Sequence, residues 1–300
     1  MLTCKNLYLR YKNQPRNALS DVTFSLNENE IVSIVGHNGA GKSTLIKAIV
    51  DLVPSEGEIR YSFDKKDLPK NVHVQMQTSI FEKGIKVKEI IELYIALYES
   101  NETVDELLDL FQIQKLKNGY LDKLSGGEKQ KVSILLAVIG NPKLIIFDEI
   151  TTGLDSVARR MIWDLLKKIK EERKITMVLT SHFLDEVEYL ADRVLVMEEG
   201  RIIKEGTVAD IVKEAFEDKR SAVFLMDSNF DYEHFPYEHS TSGNKIVLNY
   251  TKTEEKAVYG AIVNCGGFDI QLKDYSFEEA FLKTIGYTLG EKGELTHEKK

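Results

Sequence analysis

Ile31-Val32-Ser33-Ile34-Val35-Gly36-His37-Asn38-Gly39-Ala40-Gly41-Lys42-Ser43-Thr44 runs from a short, nearly all-apolar segment through a glycine-rich turn to a lysine and two hydroxyls. Ile31–Val35 lacks the alternation of a half-exposed strand, which predicts a central strand covered on both faces. From Lys42 to Leu52 the residues Leu45, Ile46, Ile49 and Val53 recur at helical spacing, and Pro54 stops the pattern. Gly36 to Ser43 fits G-x-x-x-x-G-K-[ST] in the strand–turn–helix setting which that pattern needs. Gly39 and Gly41 carry no Cβ, so the backbone can curl and aim its N–H groups at phosphate oxygens. The positive end of the following helix adds to the attraction. Lys42 is placed to bridge β- and γ-phosphates and the Ser43 hydroxyl to take Mg²⁺, with His37, Asn38, Ala40 and Thr44 completing the loop. The expected ligand is a nucleoside triphosphate.

Outward from this stretch, Leu2–Tyr8 and Val22–Leu26 read as opening strands. Glu89–Ser100 and Thr103–Phe111 have helical periodicity, and residues 87–140 form a helical insert. Strands return at Lys143–Phe147, Ile175–Leu179 and Val194–Met197, with a helix across Val157–Lys170. Strands alternating with helices imply a largely parallel, wound sheet. The pattern changes after about residue 210. Ala222–Met226, Lys245–Tyr250 and Phe268–Leu272 then read as strands and Glu254–Asn264 and Ser276–Ile285 as helices, giving a small α+β appendage over 211–289. The polar residues 290–300 are expected to be disordered.

Three further stretches carry chemistry. Lys143–Phe147 is an apolar strand ending in Asp148-Glu149. Beside a phosphate loop, Asp148 is placed to hold Mg²⁺ and Glu149 to accept the proton of an attacking water. Leu124-Ser125-Gly126-Gly127-Glu128 precedes a predicted helix, Glu128–Ile139. Ser125, Gly126 and Gly127 at its positive end make a second candidate phosphate cradle. His182 follows the strand Ile175–Leu179.

In this order and spacing, the phosphate loop, Leu124–Glu128, Leu144–Glu149, Gly153-Leu154-Asp155 and Ser181-His182 resemble the ATP-binding-cassette (ABC) ATPases over residues 1 to about 210. The chain looks like the nucleotide-binding subunit of such a transporter. The resemblance implies an α/β fold of the P-loop NTPase (RecA-like) type: a parallel sheet core with a helical subdomain over 87–140, to which the C-terminal α+β appendage is added. It implies ATP and Mg²⁺, an adenine-stacking role for Tyr11, and a role for Gln77 at the Mg²⁺ and the attacking water; Gln75 is near enough to compete for that assignment. It makes His182 the switch histidine that contacts the γ-phosphate. It assigns Ser125, Gly126 and Gly127 to the ATP held by a second, identical or related ABC ATPase subunit, with Asp155 crossing between the two. A separate membrane permease is implied as the other partner. Ile150 departs from the pattern: the family commonly has proline there, whose loss leaves Thr151–Asp155 less constrained.

Ser276-Phe277-Glu278-Glu279-Ala280-Phe281-Leu282 resembles the closing helix of ATPases serving drug, peptide and polymer exporters, although an amphipathic helix explains it equally well as structure. An importer stays open, as does a non-transport cassette ATPase of the cluster-assembly or nucleic-acid-associated type. A P-loop kinase or GTPase is disfavoured, since no N-K-x-D signal occurs and Leu124–Glu128 would have no task. The hydrophobic fraction of 43% and charged fraction of 29% are those of an ordinary soluble protein. No apolar run approaches membrane-spanning length, and the first residues lack a signal peptide's layout. The expectation is a cytoplasmic chain, peripheral on the membrane through its permease. A net charge of −8 gives no general attraction to nucleic acid. Cys4 and Cys265, without metal-type spacing, are expected to be small buried hydrophobes in a reducing compartment.

Overall fold

A computed structural model describes residues 1–12, 14–76, 83–217, 219–289 and 295–297. The chain divides into two compact units, Met1–Glu205 and Gly206–Lys300. The first opens with β1 (Leu2–Leu9), β2 (Leu19–Leu26), β3 (Ile31–Val35), α1 (Lys42–Ile49) and β4 (Glu56–Tyr61). It continues through a short α2 (Leu68–Asn71), β5 (Val72–Gln75), α3 (Val87–Leu97), α4 (Val104–Leu110) and α5 (Gly126–Val138). It ends with β6 (Leu144–Asp148), α6 (Ser156–Arg173), β7 (Thr176–Thr180), α7 (Leu184–Leu190), β8 (Arg193–Glu198) and β9 (Arg201–Gly206).

Six strands form the main sheet in the order β5-β6-β7-β3-β8-β9, and the four pairings from β5 to β8 are parallel. Every residue of β3, β6 and β7 is buried. Period-2 alternation sends their side chains to opposite faces. Ile31, Ile145, Phe147, Met177 and Leu179 pack with α3, α4, α5 and α6 on one face. Val32, Ile34, Leu144, Ile146 and Val178 pack with α1 and with the antiparallel sheet β2-β1-β4 on the other. Each fully buried Leu, Ile or Phe contributes roughly 1.5–3 kcal/mol relative to exposure. The same layering puts the carboxyl ends of the parallel strands, with the loops that follow them, at one edge of the sheet.

Side-chain caps fix the starts of α5 and α6. The Ser125 hydroxyl accepts Glu128 N–H at 3.3 Å and the Glu128 carboxylate accepts Ser125 N–H at 3.1 Å, a reciprocal cap at the head of α5. The Asp155 carboxylate accepts Ala158 N–H at 2.8 Å at the head of α6. Ile162, Trp163, Leu166 and Ile169 then form the buried face of α6.

The second unit begins with α8 (Val208–Phe216) and β10 (Lys219–Leu225), and goes on to β11 (His239–Ser242), β12 (Lys245–Thr251), α9 (Glu255–Asn264), β13 (Phe268–Lys273), α10 (Phe277–Thr284), β14 (Tyr287–Leu289) and β15 (Leu295–His297). Its antiparallel sheet runs β11-β12-β10-β13 around a core that includes Phe224, Phe230, Ile246, Leu248 and Ile262. Phe216 and Tyr275 stack at 3.6 Å between ring centroids where α8 meets the start of α10. Within the polar tail only residues 295–297 are described, and these differ from the expected disorder. Residues 295–297 are paired antiparallel with β14, Tyr287 opposite His297 and Leu289 opposite Leu295. A two-stranded ladder is held by backbone groups and needs no apolar side chains, so polar composition alone misjudged it.

Among the described residues no helix is long and apolar enough to cross a membrane. Cys4 and Cys265 are both free and buried, and burial pushes the Cys4 thiol up to about 12.

Candidate nucleotide site

The turn from β3 into α1 depends on its glycines. A Cβ on Gly36 would lie 2.2 Å from the Met197 carbonyl oxygen, and one on Gly41 would lie 2.7 Å from that of Ala18. Gly41, at φ 108°, is the N-cap of α1 and offers no side chain to it. The first-turn N–H groups, those of Lys42, Ser43 and Thr44, thus have neither an intrahelical nor a side-chain partner. Within the loop, Ala40 N–H donates to His37 O at 3.1 Å and Gly200 N–H to Ala40 O at 2.9 Å, while His37 Nδ1 lies 2.7 Å from Asn38 O. Gly39 has open space where a Cβ would stand.

Lys42 is only 7% exposed. Its ammonium donates to Gly36 O at 2.7 Å and His37 O at 3.2 Å, so the cation sits in the mouth of the loop. Burial lowers its pKa, and the nearby charges of Glu149 and Asp148 raise it again. The phosphate loop and the acidic end of β6 therefore share one electrostatic neighbourhood, as the sequence predicts.

Asp148 is buried and accepts the Thr180 hydroxyl. Glu149 lies one residue beyond the strand at φ 52°, a left-handed conformation that places it outside the ladder. Its N–H donates to both Thr180 O and Thr180 Oγ1, each at 3.1 Å. Its carboxylate is paired with His182 Nε2. Lys42, Asp148, Glu149 and His182 are thus drawn together from three loops at the carboxyl ends of β3, β6 and β7. The part of Thr180 was missed in the sequence; the polar Thr180-Ser181-His182 directly after an apolar strand was the available signal.

Ser125, Gly126, Gly127 and Asp155 are placed elsewhere. They line a separate cleft of about 650 Å³ together with Gly153, Leu154, Val157 and Met161, and no phosphate-loop residue is among its lining. Val157 and Met161 are 69% and 51% exposed there. Bonds from the Ser125 backbone and hydroxyl hold the Glu128 carboxyl below its usual range. Tyr11 is half-exposed in a shallow cleft with Arg10, Lys12, Gln14 and Pro15, at the end of the β1–β2 hairpin whose Ala18 carbonyl abuts Gly41. Gln77 lies outside the described residues. Gln75 closes β5, buried and in register with Phe147 beside Asp148. Ile150, in place of proline, is 4% exposed within the core. The turn after it is held by Thr152 N–H to Glu149 O and Leu154 N–H to Thr151 O, both 3.2 Å.

The family model described as ABC transporter matches residues 19–152. A solved structure described as the ATP-binding subunit of an ABC transporter superposes with a TM-score of 0.61 at 30% identity, covering 71% of this chain and 92% of that one. The chain belongs to the ABC transporter family. Other members are similar to it as well. Human phospholipid-transporting ATPase ABCA3 is 34% identical over 204 residues, 64% of this chain and 12% of that protein. The methionine import ATP-binding protein MetN 1 of Staphylococcus aureus (strain USA300) is 32% identical over 216 residues, 67% of this chain and 63% of that one. The chain therefore spans less than two thirds of the length of the curated relatives it matches.

The donor set fits the nucleotide and metal of this family. Two glycines that tolerate no Cβ, uncapped N–H groups and a buried lysine at the head of α1 suit a polyphosphate. Among the described residues no group of three or more His, Cys, Asp or Glu could hold a metal by itself. One hydroxyl, Ser43, and one carboxylate, Asp148, suit Mg²⁺, which keeps several waters and takes phosphate oxygens for its remaining positions.

Proposed function

We propose that this chain is the ATP-hydrolysing subunit of an ABC transporter, in which ATP closes two such subunits on each other and drives a substrate through a separate permease. The observation that carries this reading is the meeting of Lys42, Asp148, Glu149 and His182 in one site, while Ser125–Gly127 and Asp155 stand in another.

The loop Gly36–Thr44 binds the phosphates through its N–H groups, and Lys42 Nζ turns from the Gly36 and His37 carbonyls to the β- and γ-phosphate oxygens. Ser43 and Asp148, with Gln77, would hold Mg²⁺, which supplies positive charge against the phosphate oxygens when bound. Tyr11 stacks on the adenine. Glu149 accepts a proton from the water that attacks the γ-phosphate, and His182, paired with it, orients that carboxylate and contacts the phosphate. The products are ADP and phosphate.

The second cradle supports a shared site. The N-terminal end of α5 presents Ser125, Gly126 and Gly127 to an open cleft that contains no phosphate loop of its own. A second ATPase subunit, identical or related, brings its nucleotide to that end, and Asp155 runs between the two sites. The exposed α3 side chains Leu93 and Leu97 offer an apolar surface for the permease, which holds the chain at the cytoplasmic face of the membrane. Export is the favoured direction, on the likeness of Ser276–Leu282 to the closing helix of exporter ATPases; MetN 1, named for methionine import, is the counterweight. With a lipid-transporting relative among the members, the proposed cargo class is a drug, peptide or lipid-like compound.

The deciding experiment is ATP turnover by the full chain, purified with the ATPase subunit, identical or related, that accompanies it, in the presence of Mg²⁺. Glu149→Gln is expected to lower kcat by about 10²–10⁴-fold, the usual worth of a general base, with ATP affinity unchanged. Wild-type turnover in Glu149→Gln, or no turnover in the wild type, overturns the reading.

A further inference from the structure

Behind the reacting pair lies a buried carboxylate that the steps above do not use. Glu186, on α7, is 2% exposed. Its Oε1 accepts the Thr151 hydroxyl at 2.9 Å and the Trp163 indole N–H at 2.8 Å. The Ser181 side chain lies against the same carboxyl and lowers its pKa, while the Ser181 hydroxyl donates to Phe183 O at 3.3 Å and accepts Phe183 N–H at 3.0 Å. Burial raises the Glu186 pKa and the bonds from Ser181, Thr151 and Trp163 oppose that rise. The indole can only donate, so it holds Oε1 as an acceptor.

Each group gathered here stands next to the chemistry. Thr151 is two residues beyond Glu149, in the turn that follows it. Ser181 immediately precedes His182. Trp163 belongs to α6, the helix whose head is Asp155. On the other side of His182, the Arg159 guanidinium of α6 lies 4.4 Å from the centre of the Phe183 ring. The Phe183 side of His182 is therefore tied to α6, and the turn after Glu149 is tied through Glu186 to the same helix. Glu149 itself stands at φ 52°, a conformation uncommon for residues other than glycine, which persists where the surroundings over-determine it. A buried carboxylate is a costly way to join three elements when apolar packing can do so. It does, however, fix directions that apolar contacts leave loose.

We propose that Glu186 is a positioning residue for hydrolysis: by bonding Thr151 of the turn after Glu149 and Trp163 of α6 from a helix that begins two residues beyond His182, it sets the Glu149 carboxylate and the His182 imidazole in register with each other. The inference rests on the hydrolytic reading above and adds a residue to it. Glu186 touches neither nucleotide nor water in this role. Its removal lets the turn at Thr151 and the loop at Ser181 move independently, which misplaces the base while the phosphate loop stays intact.

The test is kinetic, on the full chain with the ATPase subunit, identical or related, that co-purifies with it, with kcat, KM and the affinity for a fluorescent ATP analogue measured beside the thermal midpoint. Thr151→Val keeps the shape and removes a donor, Thr151→Ser restores the hydroxyl, and Glu186→Gln keeps an acceptor but loses the charge. Glu186→Gln and Thr151→Val are expected to lose at least about tenfold in kcat, as a small misplacement of a reacting group does, with nucleotide affinity within about twofold of wild type. Thr151→Ser is expected to regain most of the wild-type kcat. The proposal is overturned if Thr151→Val and Glu186→Gln turn over like wild type, if Thr151→Ser is as slow as Thr151→Val, or if kcat falls only as far as nucleotide binding does. Should Glu186→Gln fail to fold, the Thr151 pair decides alone. A wild-type chain without turnover overturns both readings; a Glu149→Gln chain that is inactive beside a fully active Glu186→Gln and Thr151→Val overturns this one only.

Discussion

Lys42 shows how one side chain can be prepared for a ligand by its own loop. Its ammonium is buried and bound to two carbonyl oxygens, Gly36 O at 2.7 Å and His37 O at 3.2 Å. These are neutral acceptors, and burial lowers the pKa of the cation they hold. An incoming phosphate offers charged oxygens, which add a coulombic attraction to the ammonium that neutral carbonyls do not supply. Lys42→Ala is therefore expected to weaken ATP binding itself. Loss of charge-assisted bonds of about 1.5–3 kcal/mol corresponds to roughly 10–150-fold in Kd, read by calorimetric titration. Unchanged affinity would show that Lys42 does not meet the phosphates. Lys42, Ser43, Asp148 and Glu149 were legible in the sequence because each lies in a short contiguous motif flanked by a strand or helix. Thr180 and Glu186 were not. Their partners are Asp148, Thr151, Trp163 and Ser181, brought near only by tertiary packing, and no local spacing announces such a meeting.

Elements differ in how they begin, and the difference follows their proposed use. At the head of α1, Gly41 supplies no cap, whereas Ser125 caps α5 through Glu128 and Asp155 caps α6 through Ala158. The α5 head keeps its hydroxyl cap yet faces an open cleft. Ser125→Arg fills that end with a long cation. It is expected to abolish ATP turnover and leave nucleotide affinity near wild type, since the phosphate loop is elsewhere; wild-type turnover in that variant would refute the shared site. The long apolar or strongly periodic elements, β3, β6, α1 and α6, were readable to within a few residues. The short ones were not. β5 is a four-residue edge strand, Val-His-Val-Gln, whose buried His73 bonds Ala137 O through Nδ1 at 2.8 Å and stacks on Tyr98, while its Nε2 has no hydrogen-bond partner among the described residues. β4 and α7 are polar enough to pass for loop.

His73 also gives a pH prediction. Burial lowers its pKa from the ordinary value of 6.5, with the bond to Ala137 opposing the shift. The unfolded chain therefore binds a proton below about pH 6.5 that the folded chain refuses, so this contribution to stability is present above 6.5 and is lost as pH falls through the lower folded value. The thermal midpoint of the wild type should fall more between pH 7.5 and 5.5 than that of His73→Gln; parallel pH profiles for the two would contradict the assignment.

At the scale of the whole molecule, the chain carries two unlike half-sites and an added α+β unit. Residues 19–152 match the family model and the second unit begins at Gly206. The first candidate site has the loop, Lys42 and the proposed base Glu149. The second, with Ser125–Gly127 and Asp155, has an exposed helix head and the exposed apolar side chains Val157 and Met161. Neither is sufficient for a closed, water-excluding pocket, and the proposed account joins each to the complementary half on a facing subunit. The sequence suggested this pairing only through family likeness, because which cradle serves which nucleotide is a matter of assembly. The most direct measurement is a structure of the Glu149→Gln chain, with the ATPase partner it co-purifies with, solved in Mg²⁺ and ATP. The account predicts a γ-phosphate held between Lys42 of one subunit and the Ser125 end of α5 on the other. A γ-phosphate enclosed by one subunit alone, with Ser125 facing solvent, would contradict it.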